Sequence, residues 1–285
     1  MAGPSRELYR AGSLAVGTFR CRPDHEAFRG GWMDHPTIVF PRTCVRITQQ
    51  GSKTVVAEPN TVVLYRGHQE YSRSEVDSVG DYCEWFEVDP AWLRDAAAPF
   101  DPEMASPDTP PIRHTQAPAG KEAYVLQRSL TRLLGAGVEP DRLVVEEALL
   151  RLVELVILSA YNRDPVEPAK SDHLDLVDDA KAYLATNFDR RLSLNDIGAA
   201  VGSSRFHLAR VFRRTTGASL HEYLTSLRLR AALNRLADTD DRLADIAIAV
   251  GFSSHSHLTQ AFRRAFDTTP SRYRRLHPEA FPETT

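Results

Sequence analysis

Asp196-Ile197-Gly198-Ala199-Ala200-Val201-Gly202, followed by His207-Leu208 and Phe212-Arg213-Arg214, is written a second time as Asp245-Ile246-Ala247-Ile248-Ala249-Val250-Gly251, His257-Leu258 and Phe262-Arg263-Arg264. The copies are offset by 49 residues before the glycine and by 50 after it. Two helices crossing steeply around a short turn need a small residue at the crossing and a glycine in the turn. Gly198 and Ala247 supply the small residue. Gly202 and Gly251 stand four positions later, where the first helix must stop at positive φ, a conformation that costs glycine almost nothing. Ser204 and Ser254 read as N-caps of the helix that follows. Each copy therefore predicts a helix-turn-helix, at about 194–216 and about 243–266.

The apolar residues support this geometry. Ile197, Val201, Leu208, Val211 and Phe212 recur at helical spacing and predict one small core, which Ile246, Val250, Leu258 and Phe262 repeat. The exposed face of the second helix is left to Arg205, Phe206, Ala209, Arg210 and Arg213 in one copy. In the other it is left to His255, Ser256, Thr259, Gln260 and Arg263. These residue types can reach base edges and phosphates. A pair of ordinary helical hairpins would share the spacing, but the matched crossing residue, glycine, cap and basic run in both copies favour a DNA reader.

The 285 residues allow two domains, and 42% hydrophobic with 26% charged residues is the composition of a folded, water-soluble chain. No run of eighteen apolar residues and no charged-then-apolar leader is present, so neither a membrane span nor a secretory signal is expected, and cytoplasmic residence is. Cys21, Cys44 and Cys83 are too few and scattered for a disulfide framework and are expected as reduced thiols, acting as small buried hydrophobes. Oxidation sensing by Cys21 or Cys83 is the alternative. The net charge of -3 is uneven: from Arg205 to His277 there are 13 Lys+Arg and 6 Asp+Glu, a local balance of +7. A basic module attached to an acidic remainder suits phosphate contact by one part and regulation by the other.

Upstream, Leu14–Phe19, Val45–Thr48, Thr54–Ala57, Thr61–Tyr65 and Tyr82–Val88 read as short strands separated by Pro and Gly punctuation, which favours a sandwich or barrel. Six prolines between Ala98 and Gly120 predict a connector. Helices are expected at about Lys121–Leu134 and Asp141–Tyr161, the second with Val145, Leu149, Leu152, Val153, Val156, Ile157 and Ala160 along one stripe. That stripe predicts either packing on the β-domain or a dimerisation surface. Pro165 and Pro168 mark a linker. A leading helix at Asp175–Asn187 then opens the helical module, and Leu220–Ala237, free of proline and glycine, reads as one long helix joining the two copies.

The module resembles, over about Leu174–Leu276, the DNA-binding domain of the AraC/XylS family of bacterial transcription regulators. The stretch from Gly251-Phe252-Ser253-Ser254 through Ala265-Phe266 to Thr269-Pro270-Ser271-Arg272-Tyr273-Arg274 carries the resemblance, and Ser204–Gly217 agrees with it. The resemblance implies that the second helix of each copy reads a major groove, with Arg205, Phe206, Ala209 and Arg210 in one and His255, Ser256, Thr259 and Gln260 in the other. Two departures matter: Ala209 is too short to hydrogen-bond a base, and Gln260 stands where the family often has a basic residue. Arg210 would then bind guanine, Phe206 a thymine methyl and Gln260 adenine. Arg213 and Arg263 are assigned to phosphates, and His207 and His257 to bracing the turn. Many members also carry an N-terminal cupin-like β-barrel that binds an effector, then helices that dimerise.

The expected architecture is thus α+β with two domains: a cupin-like β-barrel with trailing helices, and an all-α module with two helix-turn-helix motifs joined by a long helix. The expected segments are a β-rich sensor at 10–98, the connector at 99–120, helices at 121–162, a linker at 163–173 and the DNA-binding domain at 174–277. The expected partners are double-stranded promoter DNA, RNA polymerase, a small-molecule effector and a second copy of the chain, with no membrane and no cofactor.

The competing reading is an enzyme, because cupin-like barrels can hold a catalytic metal on histidines and a carboxylate. His25, His35, His68 and Glu70 are available, but the expected His-x-His spacing is missing. His68 and Glu70 are expected on one face of a strand, as a hydrogen-bonded polar pair at the barrel mouth rather than as metal ligands. Trp32, Tyr65, His68, Glu70 and Trp85 are the candidate effector-binding residues, with Phe86 a further aromatic candidate. A non-specific architectural DNA binder is the third possibility. No catalytic or metal-binding residue is assigned.

Overall fold

The computed structural model describes residues 3–106, 108–136, 140–162 and 171–276. The chain forms two compact units, Met1–Pro165 and Val166–Thr285. Most of the expected linker, residues 163–170, lies outside the described residues.

The first unit is built on ten described strands: β1 (Ser5–Ala11), β2 (Leu14–Cys21), β3 (Gly30–Met33), β4 (Pro36–Pro41), β5 (Val45–Gln49), β6 (Val55–Ala57), β7 (Thr61–Arg66), β8 (Gln69–Glu75), β9 (Asp81–Glu87) and β10 (Gln116–Pro118). They form two antiparallel sheets, one in the order β1-β2-β9-β4-β7-β10 and the other β3-β8-β5-β6. The sheets face each other across a core in which Val39, Val63 and Tyr65 of the first meet Val45, Ile47 and Ala57 of the second. The four-residue and longer strands alternate inward and outward residues, so each sheet turns one face to this core.

The outer face of the six-stranded sheet is covered by helices. Phe40 on β4 and Phe86 on β9 pack edge-on at 5.8 Å, and Phe40 meets Tyr124 at 6.5 Å. Tyr124 belongs to α2 (Lys121–Gly135), which follows α1 (Pro90–Ala97) and precedes α3 (Arg142–Tyr161). Asp89 caps α1 and Asp141 caps α3, each side chain accepting a backbone N–H of the first turn. The buried Glu84 carboxylate joins β9 to α2 by accepting from Arg128 at 2.5 Å, with Arg42 3.4 Å away.

Two expectations are corrected here, and the α3 stripe takes the first of its two expected roles. All seven residues of the α3 stripe are buried within the unit, where α3 packs on α1, α2 and β10. The stripe is therefore intramolecular core and not a dimerisation surface. The Pro-rich stretch is not merely a connector, because β10 lies inside it and pairs with β7 as an edge strand. An edge position tolerates Pro118, which has no N–H to donate. The β-domain also begins before residue 10, since β1 pairs along β2 from Ser5.

The second unit is helical: α4 (Ser171–Thr186), α5 (Leu194–Ala200), α6 (Arg205–Thr216), α7 (Leu220–Asp238), α8 (Leu243–Ala249), α9 (His255–Phe266) and α10 (Pro270–Leu276). The leading helix starts one turn earlier than its apolar pattern suggests. Val177, Ala180 and Leu184 of α4 join Ile197, Leu208, Val211 and Phe212 with Leu220, Leu224 and Leu227 of α7 in one core. Ile246, Val250, Leu258 and Phe262 are likewise buried, and Phe262 contacts the rings of Phe266 and Tyr273. The 19 residues of α7 span about 28 Å at 1.5 Å per residue. This single helix packs on α4 and α6 in one copy and on α8, α9 and α10 around the other.

Candidate nucleic-acid interface

Both turns take the geometry that their sequences predict. Gly202 has φ 64° and Gly251 φ 85°, the left-handed region that favours glycine. A Cβ on Gly198 would stand 2.7 Å from the Ser203 carbonyl oxygen, so the crossing residue of the first copy has no room for a side chain. Ser203 N donates to Gly198 O at 2.9 Å, and Phe252 N donates to Ala247 O at 2.9 Å. Phe252 thus fills the place of Ser203. The residue that lengthens the second turn by one is Ser253.

The extra residue changes what the histidines touch. Phe252 is buried and its ring meets His257 edge-on at 5.1 Å, while Ser253 Oγ lies 3.1 Å from His257 Nδ1. In the first copy His207 faces His173 of α4 at 5.6 Å, and an Arg210 guanidinium nitrogen lies 3.4 Å from its Nδ1. Ser204 and Ser254 cap α6 and α9, accepting from His207 N at 3.3 Å and His257 N at 3.2 Å.

With Leu208, Phe212, Leu258 and Phe262 committed to cores, the opposite faces of α6 and α9 are open. Arg205, Phe206, Arg210 and Arg213 are exposed and Ala209 is half-buried. Phe206 is 76% exposed, with the Arg205 guanidinium 4.9 Å from its ring centre. On α9, His255, Ser256, Gln260 and Arg263 are exposed, and Thr259 is half-buried with its Oγ1 3.3 Å from His255 Nε2. His255, Ser256, Thr259, Gln260, Arg263 and Arg264 line one groove. The i, i+4 pairs Phe206/Arg210 and Ser256/Gln260 each share a helix face.

The sheet unit holds a second candidate site, a cavity of about 250 Å³ between its two sheets. Tyr65 and Trp85 line it. The other three candidates do not. Trp32 is 53% exposed, and Glu70, its partner in the β3–β8 register, is exposed beside it. Their neighbours Met33 and Tyr71 point inward instead, a one-residue slip of the alternation that reverses faces. His68 is not on a strand: it follows Gly67 in the two-residue turn between β7 and β8, with φ 47° after φ 83°, the twist that such hairpins need. Phe86 faces the helices. His25 caps a short helical turn through Nδ1 at 3.1 Å from Ala27 N, and His35 is exposed. Among the described residues no group of three or more His, Cys, Asp or Glu could hold a metal ion.

Residues that pattern alone did not point to complete the cavity. Arg73 Nε lies 2.7 Å from the Asp81 carboxylate, with both side chains about 5% exposed or less. Phe19, Phe28 and Tyr71 surround the Arg73 guanidinium at 4.7, 5.6 and 5.4 Å. Burial pushes the Tyr65 and Cys83 groups well above their ordinary values and raises Tyr71, so all three stay protonated near neutral pH. All three cysteines are buried.

Two helix-turn-helix units on separate apolar cores, both fixed to α7, define a bipartite helix-turn-helix protein of the DNA-binding class. A helix-turn-helix domain family matches residues 197–276. The probable transcription factor PqrA of Proteus vulgaris is 34% identical over 102 residues, 35% of this chain and 84% of that protein. The regulatory protein SoxS of Escherichia coli (strain K12) is 33% identical over 102 residues, 36% of this chain and 95% of that protein. A solved AraC-type DNA-binding regulator from Chromobacterium violaceum shares 30% identity, with a TM-score of 0.36, over 39% of this chain and 98% of that one. The chain belongs to the AraC/XylS family of transcriptional regulators. No helix among the described residues is long and apolar enough to cross a membrane.

Proposed function

We propose that this regulator recognises a promoter through the exposed faces of α6 and α9, each entering a major groove of double-stranded DNA. The observation that carries the reading is the division of both helices: one face is locked into a core, and the other leaves Arg205, Phe206, Arg210 and Arg213, or His255, Ser256, Gln260 and Arg263, in solvent. Arg210 pairs with guanine, Phe206 packs on a thymine methyl and Gln260 pairs with adenine, while Arg213 and Arg263 bind phosphates. Joining both units to α7 supports their reaching successive grooves, about 34 Å apart on one side of the duplex.

The N-terminal unit serves as a sensor through the cavity between its sheets, with RNA polymerase and a second copy of the chain as the remaining partners. The regulator acts in the cytoplasm, where promoter DNA lies, and performs no catalysis. Competition binding at physiological salt tests the reading. The specific site should outcompete random duplex by roughly 10³-fold or more, whereas equal affinity for every duplex would make the protein an architectural binder. Mapping its sites across its own genome would supply the operator for that assay.

A further inference from the structure

We propose that the cavity between the sheets takes a small, uncharged aromatic compound of one or two rings, anchored by a single hydrogen bond to the Tyr65 hydroxyl. The inference deepens the sensor reading and rests on it only for the consequence of binding, not for binding itself.

Charge is the first argument. Three ionised side chains line the cavity, and each has a partner: Arg73 pairs with Asp81 at 2.7 Å, and Glu87 pairs with Arg10 at 3.3 Å. The Arg73 guanidinium is further enclosed by three rings and donates to Phe28 O at 2.9 Å. No lining charge is left over to neutralise an ionic ligand. An anion could enter only by prising Arg73 from Asp81, which would strand a buried carboxylate, and a cation would strand Arg73 in the same way.

Shape and polarity supply the rest. Phe19, Tyr65, Tyr71 and Trp85 present ring surfaces, and Met33, Val39 and Ile47 add aliphatic ones. Flat walls of this kind suit a planar ring through offset or edge contacts. At the interior packing density of about 0.74, the cavity of about 250 Å³ accommodates a ligand of roughly 180 Å³, enough for one or two fused rings. Tyr71 already accepts from Arg73 at 3.4 Å, and the Cys83 thiol bonds Asp81. The Tyr65 side chain lines the cavity, and its hydroxyl makes no hydrogen bond among the described residues. That oxygen is not among the buried polar atoms sealed from any partner, so it opens on the cavity, where a ligand oxygen or hydroxyl can pair with it.

Calorimetric titration of the full chain, without DNA, with 2-naphthol, naphthalene and 2-naphthoate tests the proposal. Naphthol should bind more tightly than naphthoate by at least about tenfold. Tyr65→Phe, which leaves no other group unpaired, should weaken naphthol by about three- to tenfold, as expected for one neutral hydrogen bond, and leave naphthalene unchanged. Preference for naphthoate, absence of binding by all three, or indifference of naphthol to Tyr65→Phe would overturn it. A regulator that binds naphthol but shows no preferred DNA site would instead sink the promoter reading and leave this one standing.

Discussion

Gly251 and Phe188 lie so close that a Cβ on Gly251 would stand 2.7 Å from the Phe188 carbonyl oxygen. The same oxygen accepts from Arg228 Nε at 2.7 Å, and Arg228 also donates to Arg190 O at 2.6 Å. The turn of the second helix-turn-helix, the loop leading into the first and the joining helix α7 therefore meet at one point. Gly202, the matching glycine of the first copy, has nothing within 4 Å of the same position. The two glycines share a backbone conformation, but only Gly251 also holds the copies together.

Substituting each glycine separates these roles. Gly202→Ala carries only the strain of a side chain at positive φ and should cost about 1 kcal/mol. Gly251→Ala carries that strain and must also displace Phe188 or Arg228, so roughly 3 kcal/mol or more is expected. Urea unfolding of the two variants beside the parent measures the difference. Equal losses would show that Gly251 makes no contact of consequence between the copies.

The contrast between the glycines explains what sequence could and could not reveal. Period 3.6, a glycine and a serine cap are local signals, so both helix-turn-helix units and the long α7 were legible residue by residue. Contact of Gly251 with Phe188 spans more than sixty positions and leaves no local trace. The sheets were harder for a different reason. β1 and β8 carry many polar residues, β8 turning Arg73 inward to a partner on β9, and β4 is bounded by Pro36 and Pro41, which read as punctuation. Trp32 is an aromatic in a four-residue strand too short to show its face in sequence, and the Gly67-His68 turn puts Glu70 beside it on the exposed face while Met33 and Tyr71 turn inward. The α3 stripe is legible as apolar from its helical spacing, but only the fold shows that α1, α2 and β10 cover it.

Arg210→Ala should relax base preference in one half of the promoter site at a cost of about 1 to 3 kcal/mol, and Gln260→Ala should do so in the other half. Both side chains are exposed and outside the cores, so thermal stability should hold. Arg213→Ala or Arg263→Ala should weaken all sequences alike and flatten the salt dependence by about one ion. Binding measured across a set of single-base variants and salt concentrations checks both. Unchanged preference in Arg210→Ala and Gln260→Ala would move the reading face elsewhere.

His257 should behave as a brace. Its ring packs on buried Phe252 and its Nδ1 lies 3.1 Å from Ser253 Oγ, contacts that shape the longer second turn. His257→Ala should therefore lower stability by about 1 kcal/mol, the scale of one aromatic pair, without altering base preference. Melting and the same single-base binding set decide the matter. A changed preference with an unchanged melting temperature would make His257 a reader of DNA.

Two capping boxes should make the helical module sensitive to acid, beside Asp241, which hydrogen bonds from Arg235 and Thr239 also hold below its ordinary range. Ser219 Oγ accepts from Glu222 N at 3.2 Å while Glu222 Oε2 accepts from Ser219 N at 2.8 Å. Ser193 and Asp196 repeat the exchange at 3.2 and 2.8 Å. The backbone N–H and then the hydroxyl of Ser219 hold the Glu222 carboxyl below its ordinary range, and the hydroxyl and then the N–H of Ser193 do the same for Asp196. A carboxyl depressed on folding stabilises fully above its unfolded value, about 4.3 for Glu and about 3.9 for Asp, and the contribution is lost as pH falls through the folded value. The caps of α5 and α7 should thus weaken as pH drops below about 5. Glu222→Gln combined with Asp196→Asn keeps a side-chain acceptor at each cap but removes the titration. Melting temperatures from neutral pH downward should fall less steeply for this double variant than for the parent. Parallel curves would place the acid sensitivity outside the capping boxes.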